Sequence, residues 1–214
     1  MNDFLRKLKN PFDGLDKNNV DEVQHKCKEL SIELFNNYCI KCKDKKYYFA
    51  EIEFYYFKED CLNEKWNEVT YPRKGYKSGS LFYHLSGVDI CFESNLERRK
   101  GVLKGKGGGI LIRSIVDEYG NLFVGPLTCV NVMLNSCKGR KMPQLKRLPT
   151  SRNITPSETY RFLGDNDWGK IGNGNKDGNL KLAYFDGTTI SEESWNSTRS
   201  SYYSKRLKYP AKYE

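Results

Sequence analysis

Apolar and polar positions follow two different periods along this chain. From Asn19 to about Phe35 the apolar residues Val20, Val23, Cys27, Leu30 and Leu34 recur every three or four positions, which is the spacing of one helix face. Asn19 stands where a side-chain cap for the first turn belongs. After this helix the period drops toward two. Tyr38–Lys43 reads as a strand, Lys43-Asp44-Lys45-Lys46 as a polar turn and Tyr47–Phe57 as a second strand, so a hairpin is expected. Residues 58–79 are mixed in charge and loop-like. Leu81–Leu85 and Val88–Glu93 read as strands joined at Ser86-Gly87.

The later part alternates turns and apolar runs. Residues 94–109 form a basic, glycine-rich connection, and Ile110–Val116 is an unbroken run suited to a buried strand. Asp117–Asn121 is a turn. Gly125-Pro126 opens a helix with Pro at its first position and Leu127, Val130 and Leu134 on one face. Residues 138–152 are a basic loop, Thr155-Pro156-Ser157-Glu158 is a capping box that predicts a short helix, and residues 164–180 are rich in Gly, Asn and Asp. Residues 1–18 look like a polar, turn-rich segment ahead of one domain over 19–214. The expected class is α+β, a curved and mainly antiparallel sheet with flanking helices.

Composition narrows the partners. A chain of 214 residues with 38% hydrophobic and 29% charged residues suits one folded domain. The net charge is +9, and it is concentrated: residues 101–150 hold eight basic against two acidic residues, whereas 51–100 are slightly acidic. Such a balance attracts polyanions, although a solvated basic surface would carry the same charge. The 15 Tyr and 11 Phe offer flat surfaces that serve cores and also stack on bases.

No apolar run approaches the length of a membrane span, and the first ten residues are charged and polar, unlike a secretory signal. A cytoplasmic protein with reduced thiols is expected, nucleoid-associated if prokaryotic. The seven Cys are irregularly spaced. Cys39 and Cys42 form the one Cys-x-x-Cys pair, but a zinc site would need two more ligands and only His25 and His84 are available, so alternation along a strand explains the pair more simply. No zinc site is expected, and no obligate protein partner is evident.

Candidate chemistry lies where polar residues interrupt strands. Ala50, Ile52, Phe54 and Tyr56 make one apolar face of their strand. Glu51, Glu53 and Tyr55 share the other with Phe49 and Phe57. Two carboxylates beside aromatic rings suit general-base work, and an ordinary exposed face would read the same way. His84 follows Phe82 and Tyr83 in an aromatic strand, and a buried His often does no more than bond to backbone. Asp89 sits between Val88 and Ile90, where a carboxylate is costly without a partner. Arg113 stands inside Ile110–Val116, and a buried guanidinium needs an acidic partner or an anionic ligand, Asp89 or Glu53 being the obvious type. A structural ion pair would answer the same need.

The order of these motifs resembles the alkyladenine (methylpurine) DNA glycosylase family. Glu51-Ile52-Glu53-Phe54-Tyr55 is similar to the family's Glu-Thr-Glu-Ala-Tyr, Gly79-Ser80-Leu81-Phe82 leading to Gly87 to its Gly-Thr-Leu-Tyr strand, and Ile110-Leu111-Ile112-Arg113-Ser114 to its Val-Leu-Leu-Arg-Ala. Gly125-Pro126 follows in both, and Arg199 with Pro210-Ala211-Lys212-Tyr213 are similar to the family's closing segment. The likeness runs over about residues 27–137. It implies an enzyme that flips a nucleotide from the duplex and holds its base between rings. Glu53 would activate the attacking water, Tyr55 would stack on the base, Arg113 would lie beside the catalytic carboxylate, and no metal or redox cofactor would be needed.

The same resemblance implies that Lys138, Arg140, Lys141, Lys146 and Arg147, with Lys205 and Arg206, lie along phosphates. The expected partner is double-stranded DNA holding a modified base. The chain departs from the family in two places. Glu59–Trp66 lacks the family's His, and Asp89 and Glu93 occupy the neighbourhood of its intercalating Tyr and pocket Asn. Both point to another modified base, or to a nucleotide that is not DNA. With Phe82 and Tyr83, His84 and Asp89 would shape that pocket. A non-catalytic nucleic-acid or nucleotide binder and a nucleosidase acting on free nucleotides are the alternatives, and roles in repair and in phage–host conflict both stay open.

Overall fold

The computed structural model describes residues 3–15, 20–59, 71–138, 141–159 and 183–189. The predicted helix is present as α2 (Val20–Asn37), and β1 (Tyr38–Cys42) follows it without a linker. β2 (Lys45–Lys58) completes the hairpin. Downstream come β3 (Leu81–His84), β4 (Gly87–Cys91), a small hairpin of β5 (Glu97–Arg99) and β6 (Val102–Lys104), β7 (Lys106–Asp117), β8 (Leu122–Val124), α3 (Pro126–Cys137), β9 (Gln144–Arg147), β10 (Pro156–Thr159) and β11 (Ala183–Asp186). The fold is α+β, with one curled, antiparallel, nine-stranded sheet in the order β10-β11-β2-β7-β4-β3. β1 pairs with the start of β2 and with β9, and β8 pairs with the end of β7.

Several expectations need correction. Residues 3–15 are not a polar preface. They form α1 (Asp3–Lys7) and a turn whose Phe4, Leu8 and Phe12 are fully buried in the core. Their four-residue spacing is itself a helix signal. The basic connection 94–109 contains β5 and β6 and the first residues of β7, and the basic loop 138–152 contains β9. Thr155-Pro156-Ser157-Glu158 starts no helix. Pro156–Thr159 is β10, because β11 supplies a pairing partner from Ala183 to Asp186. Long-range pairing here overrides a local capping pattern.

The core lies on one face of the sheet. Phe35 of α2 meets Phe49 at 6.5 Å between ring centroids, and Phe12 meets Tyr56 at 4.9 Å. The Tyr184 hydroxyl reaches the Gln24 carbonyl of α2 at 3.1 Å. α3 starts at Gly125-Pro126 as expected, and it buries Cys129, Met133 and Cys137 against the core. Asn36 ties the end of α2 to the segment before β10: its amide donates to the Ile154 carbonyl at 2.8 Å and accepts from the Ile154 N–H at 2.6 Å.

Two register irregularities decide what the opposite face carries. Phe49 pairs with Ile115, Glu51 with Ser114, and Ile52 with Ile112, so Ala50 and Arg113 are extra residues. Strict alternation places Phe49 with Glu51 and Glu53. The extra Ala50 reverses that, and Phe49 joins Ile52, Phe54 and Tyr56 in the core.

Candidate active site

The sheet face turned away from α2 holds a row of polar side chains, all withdrawn from solvent. Register builds it. Glu53 pairs with Leu111, Leu111 with Asp89, and Asp89 with Phe82, so all four point to one side across β2, β7, β4 and β3. His84, two residues beyond Phe82, shares that side. Glu53 is 0% exposed, Glu51 1%, Asp89 2% and Arg113 7%, so the face is not the solvated one that alternation alone allows.

At one end Arg113 spans two carboxylates. Its Nη1 donates to Glu53 Oε2 in a short contact, and its Nε lies 3.4 Å from Glu51 Oε1. Ser114 donates its hydroxyl toward Glu51 at 3.5 Å. Because Arg113 is an extra residue in β7, it and Ser114 both turn toward Glu51, which unbulged alternation would forbid. The Cys129 thiol lies near this group. Burial pushes it far above its ordinary range, and the Glu51 charge pushes further in the same direction.

At the other end Asp89 joins two partners. Arg73 Nη1 approaches Asp89 Oδ2 at 2.7 Å, and His84 Nε2 approaches Asp89 Oδ1 at 3.2 Å. The Ser86 N–H donates to His84 Nδ1 at 3.2 Å, so the ring proton sits on Nε2 and is donated to the carboxylate. Arg73 also donates to the Gly108 carbonyl at 3.3 Å, and its guanidinium lies 4.6 Å from the Phe82 centroid. Tyr71 and Phe82 pack on His84 and on each other, with centroids 4.6 and 5.6 Å from His84 and 6.5 Å apart. Gly109 makes the room. A Cβ there would stand 2.8 Å from Arg73 Nη1 and 2.8 Å from the Ile90 carbonyl oxygen.

The structure thus gathers Glu53, Arg113, Phe82, His84 and Asp89 on one face, with Tyr55 beside them opposite Gly109. Arg113 takes Glu53 as its partner. Asp89 does not share it, because Leu111 separates the two carboxylates by two strand spacings, on the order of 10 Å. Asp89 pairs instead with Arg73, which sequence reasoning missed. Arg73 lies in a loop of mixed charge, where a basic residue is unremarkable. The signal was indirect, since a carboxylate between Val88 and Ile90 demands a cation.

Tyr83, expected in the same pocket, does not join this face. It pairs with Val88, whose side chain lies in the core, and so points away from Phe82 and His84. Of the basic residues, Lys138 ends α3, Lys141 follows it, and Lys146 and Arg147 lie on β9; Arg140, Lys205 and Arg206 fall outside the described residues. Cys39 and Cys42 point to opposite faces of β1, and Cys42 lies beside Cys137. Among the described residues no group of three or more His, Cys, Asp or Glu is placed to hold a metal ion, and no helix is long and apolar enough to cross a membrane. No protein-family model, no curated protein and no solved structure matches the chain.

Proposed function

We propose that this protein hydrolyses the N-glycosidic bond of a modified base in double-stranded DNA, with Glu53 as the general base. The observation that carries the reading is the buried Glu53–Arg113 pair, set on the sheet face that also holds His84, Asp89 and Phe82. Glu53 takes a proton from water as the water oxygen bonds to the sugar carbon C1′. The C1′–N bond breaks, and its electron pair leaves with the base. Arg113 fixes the carboxylate's orientation. Phe82, His84 and Tyr71, with Tyr55 near Glu53, supply ring surface for a base taken out of the duplex. Leu85 stands at the turn between β3 and β4 with 90% of its surface exposed, an apolar side chain placed to fill the gap that such a base leaves.

The test compares wild type and Glu53→Gln on duplexes with different modified bases and on the matching free nucleosides. We expect release from duplex alone, falling about 100- to 10,000-fold in the variant. Equal release by variant and parent would overturn the role of Glu53, and release from free nucleosides alone would make the protein a nucleosidase. One observation favours a second reading, a nucleotide binder without turnover: Glu53 and Asp89 each already have a cationic partner. Saturable binding of modified DNA with no base released would establish it.

A further inference from the structure

The lysines among the described residues divide into two populations. Lys7, Lys9, Lys26, Lys28, Lys43, Lys46, Lys74, Lys104 and Lys106 each lie within 4.0 Å of a carboxylate. Lys45, Lys58, Lys77, Lys100 and Lys138 have no carboxylate at that distance among the described residues, and neither do Lys41, Lys141 and Lys146, all three of them exposed. These last three converge from β1, from the segment after α3 and from β9 on one open cavity of about 530 Å3. Lys43, Asp44, Gln144, Met142 and Cys137 complete its lining, and Asp44 is the one acid among them.

Pairing explains the convergence. Lys41 stands opposite Gln144, and Cys39 opposite Lys146, so Lys41, Gln144 and Lys146 leave β1 and β9 on one face. Lys41 also pairs with Lys46, while its neighbour Ile40 pairs with Tyr47 toward the core. Lys41 therefore projects on the same face of the sheet as Glu51 and Glu53. Seven residue steps along β2 take Lys46 to Glu53, a distance on the order of 20 Å along the strand.

We propose that this groove binds the phosphate backbone of nucleic acid, at a place several base pairs removed from the base held near Glu53. The proposal rests on the nucleic-acid part of the reading above and not on the chemistry of Glu53. Unpaired ammonium groups with little acid around them are the footprint of a polyanion partner. Aromatic side chains are missing from the lining among the described residues, so the groove offers nothing for bases to stack on. It contacts phosphates and fixes position without reading sequence.

The experiment is a salt titration of binding to an unmodified short duplex, followed by fluorescence anisotropy. It compares the wild-type chain with Lys41→Gln/Lys141→Gln/Lys146→Gln, with the corresponding Lys→Arg triple variant, and with Lys26→Gln/Lys28→Gln on α2, behind the opposite face. For three lost phosphate contacts the slope of log K against log salt falls in magnitude by about 2.7. The arginine variant keeps the wild-type slope, and so does the α2 variant. A Gln triple variant with unchanged thermal midpoint and unchanged slope overturns the proposal. So does a groove that takes up inorganic triphosphate in a lysine-dependent way while the DNA slope stays unaltered, since its ligand is then a free polyphosphate. Base release plays no part in the readout, so failure of the Glu53 mechanism and failure of the groove are separately visible.

Discussion

Arg73 and Asp89 meet at 2.7 Å with 1% and 3% of their side chains exposed, although one comes from a loop and the other from the middle of a strand. A pair this deeply buried is weak evidence of stabilisation, because desolvating two charges offsets much of their attraction. Removing one member is different, since it strands the other. Arg73→Met is expected to destabilise the fold by about 3–5 kcal/mol, and Arg73→Met/Asp89→Leu to recover a substantial part of that loss. Urea unfolding of the two single variants and the double variant checks this. A double variant no better than the sum of its parts would mean that the pair is not coupled.

Leu85 separates function from stability. At 90% exposure its side chain contributes little to the fold, so Leu85→Ala should alter stability by no more than about 0.5 kcal/mol. If Leu85 fills the gap left by an extracted base, the same variant loses base release from duplex DNA. Unmodified-duplex binding stays close to wild type, because phosphates dominate that affinity. Thermal melting and single-turnover base release, measured side by side, test the split.

The cysteines predict alkaline sensitivity. Burial is the main cause that raises the thiols of Cys27, Cys39, Cys42 and Cys129, and it pushes Cys91 up to about 11. A free thiol in the unfolded chain titrates near 8.5. The folded state therefore holds these protons more tightly than the unfolded state does. Their contribution is fully present below about pH 8.5 and is lost as pH rises toward the folded values, through about 11 for Cys91. Stability measured by urea unfolding should fall steadily between those limits. At neutral pH the native protein should leave these five thiols unreacted toward an aromatic disulfide reagent until denaturant is added.

Much of the scaffold was legible because it follows local periods. The helix after Asn19, the strand pair around Lys43–Lys46, the two strands joined at Ser86-Gly87 and the Gly-Pro helix start are all present within a few residues of their expected bounds. Phe4, Leu8 and Phe12 carried a usable four-residue spacing that the surrounding polar residues masked. Pro156–Thr159 was not legible at all, because its partner Ala183–Asp186 lies far along the chain.

The candidate site divides along the same line. The amino-acid sequence by itself determined that Glu53, His84, Asp89 and Arg113 lie in strands whose neighbours are apolar, and hence that each needs a partner. Only the tertiary structure decided which partner. Register put Glu53, Leu111, Asp89 and Phe82 in one row and sent Tyr83 to the other face. The extra residues Ala50 and Arg113 turned Phe49 into the core and brought Arg113 onto Glu51 and Glu53. Arg73 came from outside the strands altogether. Periodicity along one strand fixes which side chains share a face, but the register between strands and the path of a loop are set by contacts distant in sequence.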